Sequence, residues 1–538
     1  MLGYAAIPAS LRAAGVRVVF AMLGGSNVPW IGEGVRTGAF RLVKTRHEET
    51  AVAAAAGYSR ASGQVGVCSV TRGPGFANSI NAMLACVAAH VPVVLIVGES
   101  PSSNPDTNQN IDQRAVAGLI GAGFTHAARA ADLPSAISAA VGRAIRYGIP
   151  QIVSTGDGSL DDDVPDAAFD PVQGRPDSPA DGRIAAAARI LAQARFPLIL
   201  AGQGAVLAEC RGELWQLADL LGAMTATSLL ANRFFAGHPQ NVGLSGGWAA
   251  PLAYQHLSTA DVVLAVGASM NQFTCDHGRL YAGATIIQCD IAESAIGAHR
   301  PVDVGLVGDA RSVTRALSRE LSRRVSRPRG TVRRVPDERE IRDSVTSADL
   351  GHSAARGMDI RDVYTIMDRK LPADRIVTTD SGRSLATAAA LVGARDARSW
   401  LVGRGYGTIG HGLGTAIGAA IACPRRPVVL FAGDGGFMMS SHDLDAIRLA
   451  AIRNLTVVVM NDQLYGSEVR YLRKYGLPAD IVCQSTPDLI ALARVYGGDG
   501  VVVSCPAELE AVELPRDGLF VIDARIDPEV DGRLALGA

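Results

Sequence analysis

Short apolar runs alternate with Ala-rich stretches of helical period along most of this chain. Residues 16–20, 65–70, 92–97 and 151–154 form a first set of runs, 197–201, 223–227, 261–266 and 285–289 a second, and 376–379, 427–432, 455–460, 501–503 and 520–522 a third. Most are rich in β-branched residues and lack polar alternation, so they read as strands buried on both faces. Strands of this kind separated by helices predict an α/β chain of three doubly wound parallel-sheet domains. A polar stretch rich in Asp and Pro from Gly156 to Asp181 reads as a first linker, and the basic run from Arg323 to Val335 as a second, solvated one. The domains then span 1–165, 182–322 and 355–538. The length of 538 residues agrees, being well beyond the roughly 150 residues one domain usually takes.

Composition narrows the setting. Hydrophobic residues make up 48% of the chain and charged ones 19%, as in a globular protein with large buried surfaces. A net charge of -1 supplies no long-range field for polynucleotides or acidic membranes, and neither is expected as a partner. No stretch reaches the length of a membrane span, and Arg12 and Arg17 interrupt the amino-terminal apolar residues. The eight cysteines are scattered without a CxxC pair, which reads as reduced, mostly buried thiols and a cytoplasmic protein.

The chemistry-bearing signal is a pair of strand ends. Gly433-Asp434-Gly435-Gly436 follows one run of the third domain and Asn461-Asp462 follows the next, with helical period between them from Met438 to Arg453. Asp434 and Asp462 would lie side by side at the carboxyl edge of a sheet, where open α/β sheets bind ligands. Hard oxygen ligands in small number suit Mg²⁺ against phosphate, and the glycines let a phosphate approach the backbone. One GDG alone is an ordinary turn, and Gly156-Asp157-Gly158 is an internal control: no Asn-Asp ends a strand at the matching distance after it, so it reads as linker.

With these residues the chain resembles the thiamine diphosphate (ThDP) enzymes of the acetolactate synthase, pyruvate oxidase and 2-oxo-acid decarboxylase family, over nearly its whole length. The resemblance implies a pyrimidine-binding, a central Rossmann-like and a diphosphate-binding domain. It also implies ThDP and Mg²⁺ held between subunits of a homodimer or homotetramer. It places metal ligation on Asp434, Asp462 and the Leu464 carbonyl, with Asp462 standing where Asn is commoner. Cofactor contacts fall on Gly382, Arg383, Ser384, Gly407, Gly433, Gly435, Gly436, Tyr465 and Gly466, and Ile409 becomes the wedge that bends the cofactor. Arg46-His47-Glu48-Glu49, before an Ala-rich helix from Thr50 to Ser62, matches the family's segment whose acid touches N1′ of the aminopyrimidine, and that acid is Glu48. Without the resemblance Glu48 and Glu49 read as exposed helix-start carboxylates, a role that suits Glu49 better.

The resemblance also places Gly25, Ser26, Arg72, Gln109, Glu468 and Leu472 around the substrate. Arg72 replaces the usual Ser of a T-S-G-P-G loop, and either meets a substrate carboxylate or points to solvent. The implied reaction attacks the carbonyl of a 2-oxo acid, releases CO₂ and passes the fragment to a proton or to a second carbonyl, such as an aldehyde or ketone acceptor. Decarboxylation with carboligation, acetolactate-synthase-like, is the leading expectation. Val469-Arg470-Tyr471-Leu472 stands where acetolactate synthases carry a Trp-Gln pair, so simple decarboxylation and aldehyde or 2-hydroxyacyl-CoA lyase activity stay open. FAD, present in the central domain of some relatives, is indicated by no residue. Gly405-Tyr406-Gly407-Thr408-Ile409-Gly410 also satisfies GxGxxG, which makes an NAD-dependent oxidoreductase the rival class. A non-catalytic relative is disfavoured by the presence of Glu48, Asp434 and Asp462.

Overall fold

The computed structural model describes residues 1–100, 107–156, 158–164, 181–325, 334–383, 385–403 and 405–530. Ser384, Asp157 and most of both linker stretches lie outside them. Among the described residues there are three sheets of six strands, every pairing parallel.

The first sheet holds β1 (Val18–Ala21), β2 (Arg41–Lys44), β3 (Gly66–Val70), β4 (Val93–Gly98), β5 (Gly123–Ala127) and β6 (Gln151–Thr155), in the order β2-β1-β3-β4-β6-β5. The second holds β7 (Pro197–Ala201), β8 (Met224–Thr227), β9 (Asn241–Leu244), β10 (Val262–Val266), β11 (Thr285–Asp290) and β12 (Val304–Val307), in the order β12-β11-β10-β7-β8-β9. The third holds β13 (Ile376–Thr379), β14 (Trp400–Val402), β15 (Val428–Gly433), β16 (Asn454–Asn461), β17 (Asp499–Val503) and β18 (Gly518–Arg525), in the order β14-β13-β15-β16-β18-β17. In each the chain starts inside the sheet, builds one edge and then the other. That leaves a topological switch point, between β13 and β15 in the third sheet.

Every strand anticipated from apolar runs is present within a few residues. The five unanticipated strands, β2, β5, β9, β12 and β14, are all at sheet edges. Most carry partly exposed residues, such as Arg41 and Lys44 in β2 and His126 in β5, so their sequences lack the unbroken apolar signature of a central strand. All eight cysteines are free and most are buried, as expected, with Cys483 the exposed one.

The first and third domains share one apolar core, which runs from Phe20 and Leu95 to Leu413, Val428 and Val457. Its centre is the packing of the Glu48–Ser62 helix on the Gly412–Ala422 helix. A Cβ on Gly418 would overlap the Ala54 carbonyl, and one on Gly57 the Thr415 carbonyl, so the two backbones approach as closely as only glycine allows. Gly418→Ala is expected to destabilise the chain by about 1–3 kcal/mol or more, because rigid backbone must separate. A lowered urea midpoint in equilibrium unfolding checks this.

Polar groups finish the joint. The Asp443 carboxylate accepts from the Thr50 hydroxyl and, at 2.9 Å, from the Arg46 amide, and it pairs with His442 at 3.1 Å. The Asp443 hydrogen bond holds the His442 imidazole above its ordinary value of 6.5, against the opposing effect of burial; Glu49 adds in the same direction, and the His47 ring lies 5.7 Å away. A raised imidazole stabilises the fold below the unfolded value and loses that contribution as pH rises through the folded one. The melting-temperature difference between wild type and His442→Asn is therefore expected to shrink as pH rises from below 6.5 to above it.

Candidate active site

Three loops at the carboxyl ends of β13, β15 and β16 meet in a pocket of about 110 Å³. Gly433 pairs with Met460 across β15 and β16, so the residues just beyond them, Asp434 and Asp462, emerge side by side.

Asp434 opens the Asp434–Ser440 helix with Gly433 as its extended N-cap, so the helix starts four residues before the stretch that periodicity marked. Its Oδ2 accepts from the Thr486 hydroxyl at 2.8 Å. Burial pushes the Asp434 carboxyl up, opposed by Thr486 and neighbouring amides. Burial likewise raises Asp462, to about 6, against the pull of Arg383 and with the Asp434 charge adding to the rise. Asp462 accepts from the Leu464 amide at 3.0 Å and from Arg383 Nη2 at 2.5 Å, while Arg383 Nη1 donates to the Pro528 carbonyl at 2.8 Å. Between them Gln463 sits at φ 56°, a left-handed turn that costs a non-glycine residue on the order of 1 kcal/mol. The turn is held by Tyr465 N–H to the Val482 carbonyl and Gln484 N–H to the Gln463 carbonyl. No described donor reaches the Leu464 carbonyl, and Leu464 lines the pocket.

Gly382, Gly433, Gly435, Gly436, Ile409, Tyr465, Gly466 and Glu468 line the same pocket. Gly382 and Gly433 have open space where a Cβ would stand, whereas a Cβ on Gly435 would come within 2.8 Å of the Tyr465 ring. Asp380, buried after β13, accepts from Gly410 N–H at 2.8 Å and from Ser381 N–H, and a Cβ on Gly436 would overlap its carboxylate. Asp380 thus pins the loop that carries Ile409. Neither Asp380 nor Thr486 stands out as a site residue in the sequence, because what marks them is the partner each meets in space.

Two expected positions fall elsewhere. Gly407 lines a different cavity, of about 830 Å³, between the central domain and its neighbours. The loop turns there because a Cβ on Gly405 would overlap the Ala85 carbonyl, seating it on the Pro74–Ala88 helix of the first domain. Leu472 is buried with Val469 and Val482 and packs behind Leu464, since it lies on the inward face of the Gly466–Tyr475 helix. The GxGxxG stretch makes a poor pyrophosphate cradle, because its Gly410 amide is already taken by the carboxylate of Asp380.

In the first domain Glu48 is the opening residue of the Glu48–Ser62 helix and is half-buried. Asn78 Nδ2 donates to its Oε2 at 3.2 Å, and a Cβ on Gly75 would stand 3.4 Å from its Oε1. Glu49 is no exposed helix-start acid. Burial would raise its carboxyl, but hydrogen bonds from His411 and Asn81 hold it below the usual range. Ser26, Arg72 and Gln109 converge on the loop whose Gly75 abuts Glu48: Arg72 N–H donates to Ser26 Oγ and Arg72 Nε–H to Gln109 Oε1, both at 3.2 Å. Gly25 is exposed next to them. Every residue lining the 110 Å³ pocket is Ile360 or later, so Glu48 is not part of it within one chain.

The fold and this edge of the third sheet define a cofactor-dependent α/β enzyme. Three family models match the chain in order: thiamine pyrophosphate enzyme, N-terminal TPP binding domain over residues 1–116, central domain over 184–317, and C-terminal TPP binding domain over 380–524. The chain belongs to the thiamine pyrophosphate enzyme family. It is 32% identical to a probable 2-ketoarginine decarboxylase of Pseudomonas aeruginosa, over 94% of this chain and 89% of that protein. It is 28% identical to a probable acetolactate synthase large subunit of Methanocaldococcus jannaschii, over 98% and 92%. With a sulfoacetaldehyde acetyltransferase of Rhodobacter capsulatus it shares 30% identity, over 86% and 82%. Among the described residues no helix is long and apolar enough to cross a membrane.

Proposed function

We propose that this protein uses ThDP and Mg²⁺ to break or form a carbon–carbon bond next to a carbonyl, decarboxylating a 2-oxo acid and joining the fragment to a second carbonyl. The observation that carries the reading is the edge of the third sheet, where two carboxylates, an unengaged carbonyl and a glycine-lined wall face one pocket. That donor set fits Mg²⁺ and a diphosphate: Asp434, Asp462 and the Leu464 carbonyl offer hard oxygens, and Gly382 and Gly433 leave room for phosphate oxygens. Arg383, between Asp462 and the Pro528 carbonyl, adds a cation at the same wall.

At about 110 Å³ the pocket is below the roughly 300–1,000 Å³ of a complete small-molecule site. Glu48 lies outside it, so a second subunit supplying Glu48 completes it. ThDP, once bound, supplies the carbanion and the electron sink. The chain's part is to bind the diphosphate, to press Ile409 against the cofactor through the Asp380–Gly410 bond, to exchange a proton at Glu48 and to exclude water. The relatives' named activities, a decarboxylase, a synthase and an acetyltransferase, support a fragment that is released or transferred.

ThDP with Mg²⁺ is expected to raise the melting temperature, and CO₂ release from 2-oxo acids should then be detectable, with and without acceptor aldehydes. Stabilisation by NAD in place of ThDP would overturn the proposal.

A further inference from the structure

Arg72 is anchored by neutral acceptors. Its Nε donates to Gln109 Oε1 and its Nη1, at 3.1 Å, to the main-chain carbonyl of Glu99. Gly73, at φ +64°, leaves the neighbouring loop resting on Gln109, since a Cβ there would stand 2.7 Å from Gln109 Cβ. The nearby carboxylate is turned away: Glu99 Oε1 accepts from the Ser154 hydroxyl at 2.7 Å and Oε2 pairs with His126 at 3.0 Å. Among the described residues Arg72 forms no ion pair, and both Nη2 donors are unused. A guanidinium held by two neutral acceptors presents a fixed fork to an oxyanion.

Its position gives that fork a purpose. Gly75, three residues on, abuts Glu48, so the loop that carries Arg72 also flanks the proposed catalytic acid. Pairing Arg72 with the reacting carboxylate of a 2-oxo acid would stabilise the anion that must leave as CO₂, which favours the ground state over the transition state. A second anion, remote from the reacting carbonyl, has no such penalty.

We propose that Arg72 is a specificity-determining residue that binds a carboxylate or sulfonate at the far end of the substrate, so that this enzyme prefers a carbonyl substrate carrying such a second anion. This rests on the ThDP reading above. The anion belongs either to the 2-oxo acid donor or to the acceptor aldehyde, and two assay arms separate them.

The wild type, Arg72→Ser and Arg72→Lys are first compared for ThDP–Mg²⁺ binding by calorimetry. Absence of binding in the wild type overturns the functional proposal, and this inference with it. In the donor arm, 2-oxobutyrate is compared with 2-oxoglutarate and 2-oxoadipate; in the acceptor arm, acetaldehyde is compared with sulfoacetaldehyde. In one arm the wild type is expected to favour the compound with the second anion. Arg72→Ser should cut that kcat/KM ratio at least about 100-fold, chiefly through KM, and Arg72→Lys should restore part of it. Glutarate, a dicarboxylate with no reactive carbonyl, should bind the wild-type holoenzyme more tightly than Arg72→Ser by calorimetry when the donor arm responds. Intact cofactor binding with no wild-type preference in either arm, or a preference that survives in Arg72→Ser, overturns the role of Arg72.

Discussion

Glu48→Gln is expected to lower kcat by about 10²–10⁴-fold, the range of a lost general acid–base group, with little change in ThDP affinity. The amide keeps the shape and the hydrogen bond from Asn78 but cannot exchange a proton, and Glu48 is not among the residues lining the 110 Å³ pocket of its own chain. Hydrogen–deuterium exchange at C2 of the bound cofactor is the direct measurement, and an unchanged exchange rate would remove Glu48 from the mechanism. The same variant tests where the site is. Glu48→Gln and Asp434→Ala chains co-expressed at equal levels form hybrid dimers in which, if sites are shared across a two-fold interface, one site takes both intact residues. About one quarter of wild-type activity should then return from two inactive variants. If each site lies within one chain, no activity returns.

Asp434→Ala is expected to weaken ThDP binding in the presence of Mg²⁺ at least about 100-fold, since loss even of a group that only orients a metal ligand can cost that much. Its effect on the unliganded protein should run the other way. Burial raises the Asp434 carboxyl, so the chain carries this charge at a cost to its own stability, and the neighbouring Asp462, raised to about 6, adds to the strain of two acids at one edge. Asp434→Asn should therefore leave the unliganded melting temperature unchanged or higher, a pattern that separates a binding residue from a structural one. A lowered unliganded melting temperature with unchanged cofactor affinity would assign Asp434 to the fold alone.

What was legible in the sequence follows from burial. Central strands such as β4, β10 and β15 are covered on both faces, so their residues are uniformly apolar and announce themselves. Edge strands such as β2 and β5 carry charged and half-exposed residues and do not. Asp434 and Asp462 were legible because each closes a central strand, and the register of β15 on β16 follows from the same pattern. Glu48 was nameable only through its segment's likeness to a family, since a helix-start carboxylate has no distinguishing local pattern. The contrast between Glu48 and Glu49 depended on His411, which lies more than 360 residues further along the chain.

By itself, then, the sequence determined the three parallel α/β layers and the two acids at one strand edge, because strand burial and βαβ spacing are local properties. Only the tertiary structure decided that Asp380 pins the Ile409 loop, that Thr486 and Arg383 engage the two acids, and that Gly407 and Leu472 are not among the residues lining the pocket. It also set the Arg72 guanidinium on two neutral acceptors, Gln109 Oε1 and the Glu99 carbonyl. Each of these depends on a partner from a distant element, and side-chain partnerships of that kind are set by packing, which no local window of sequence contains.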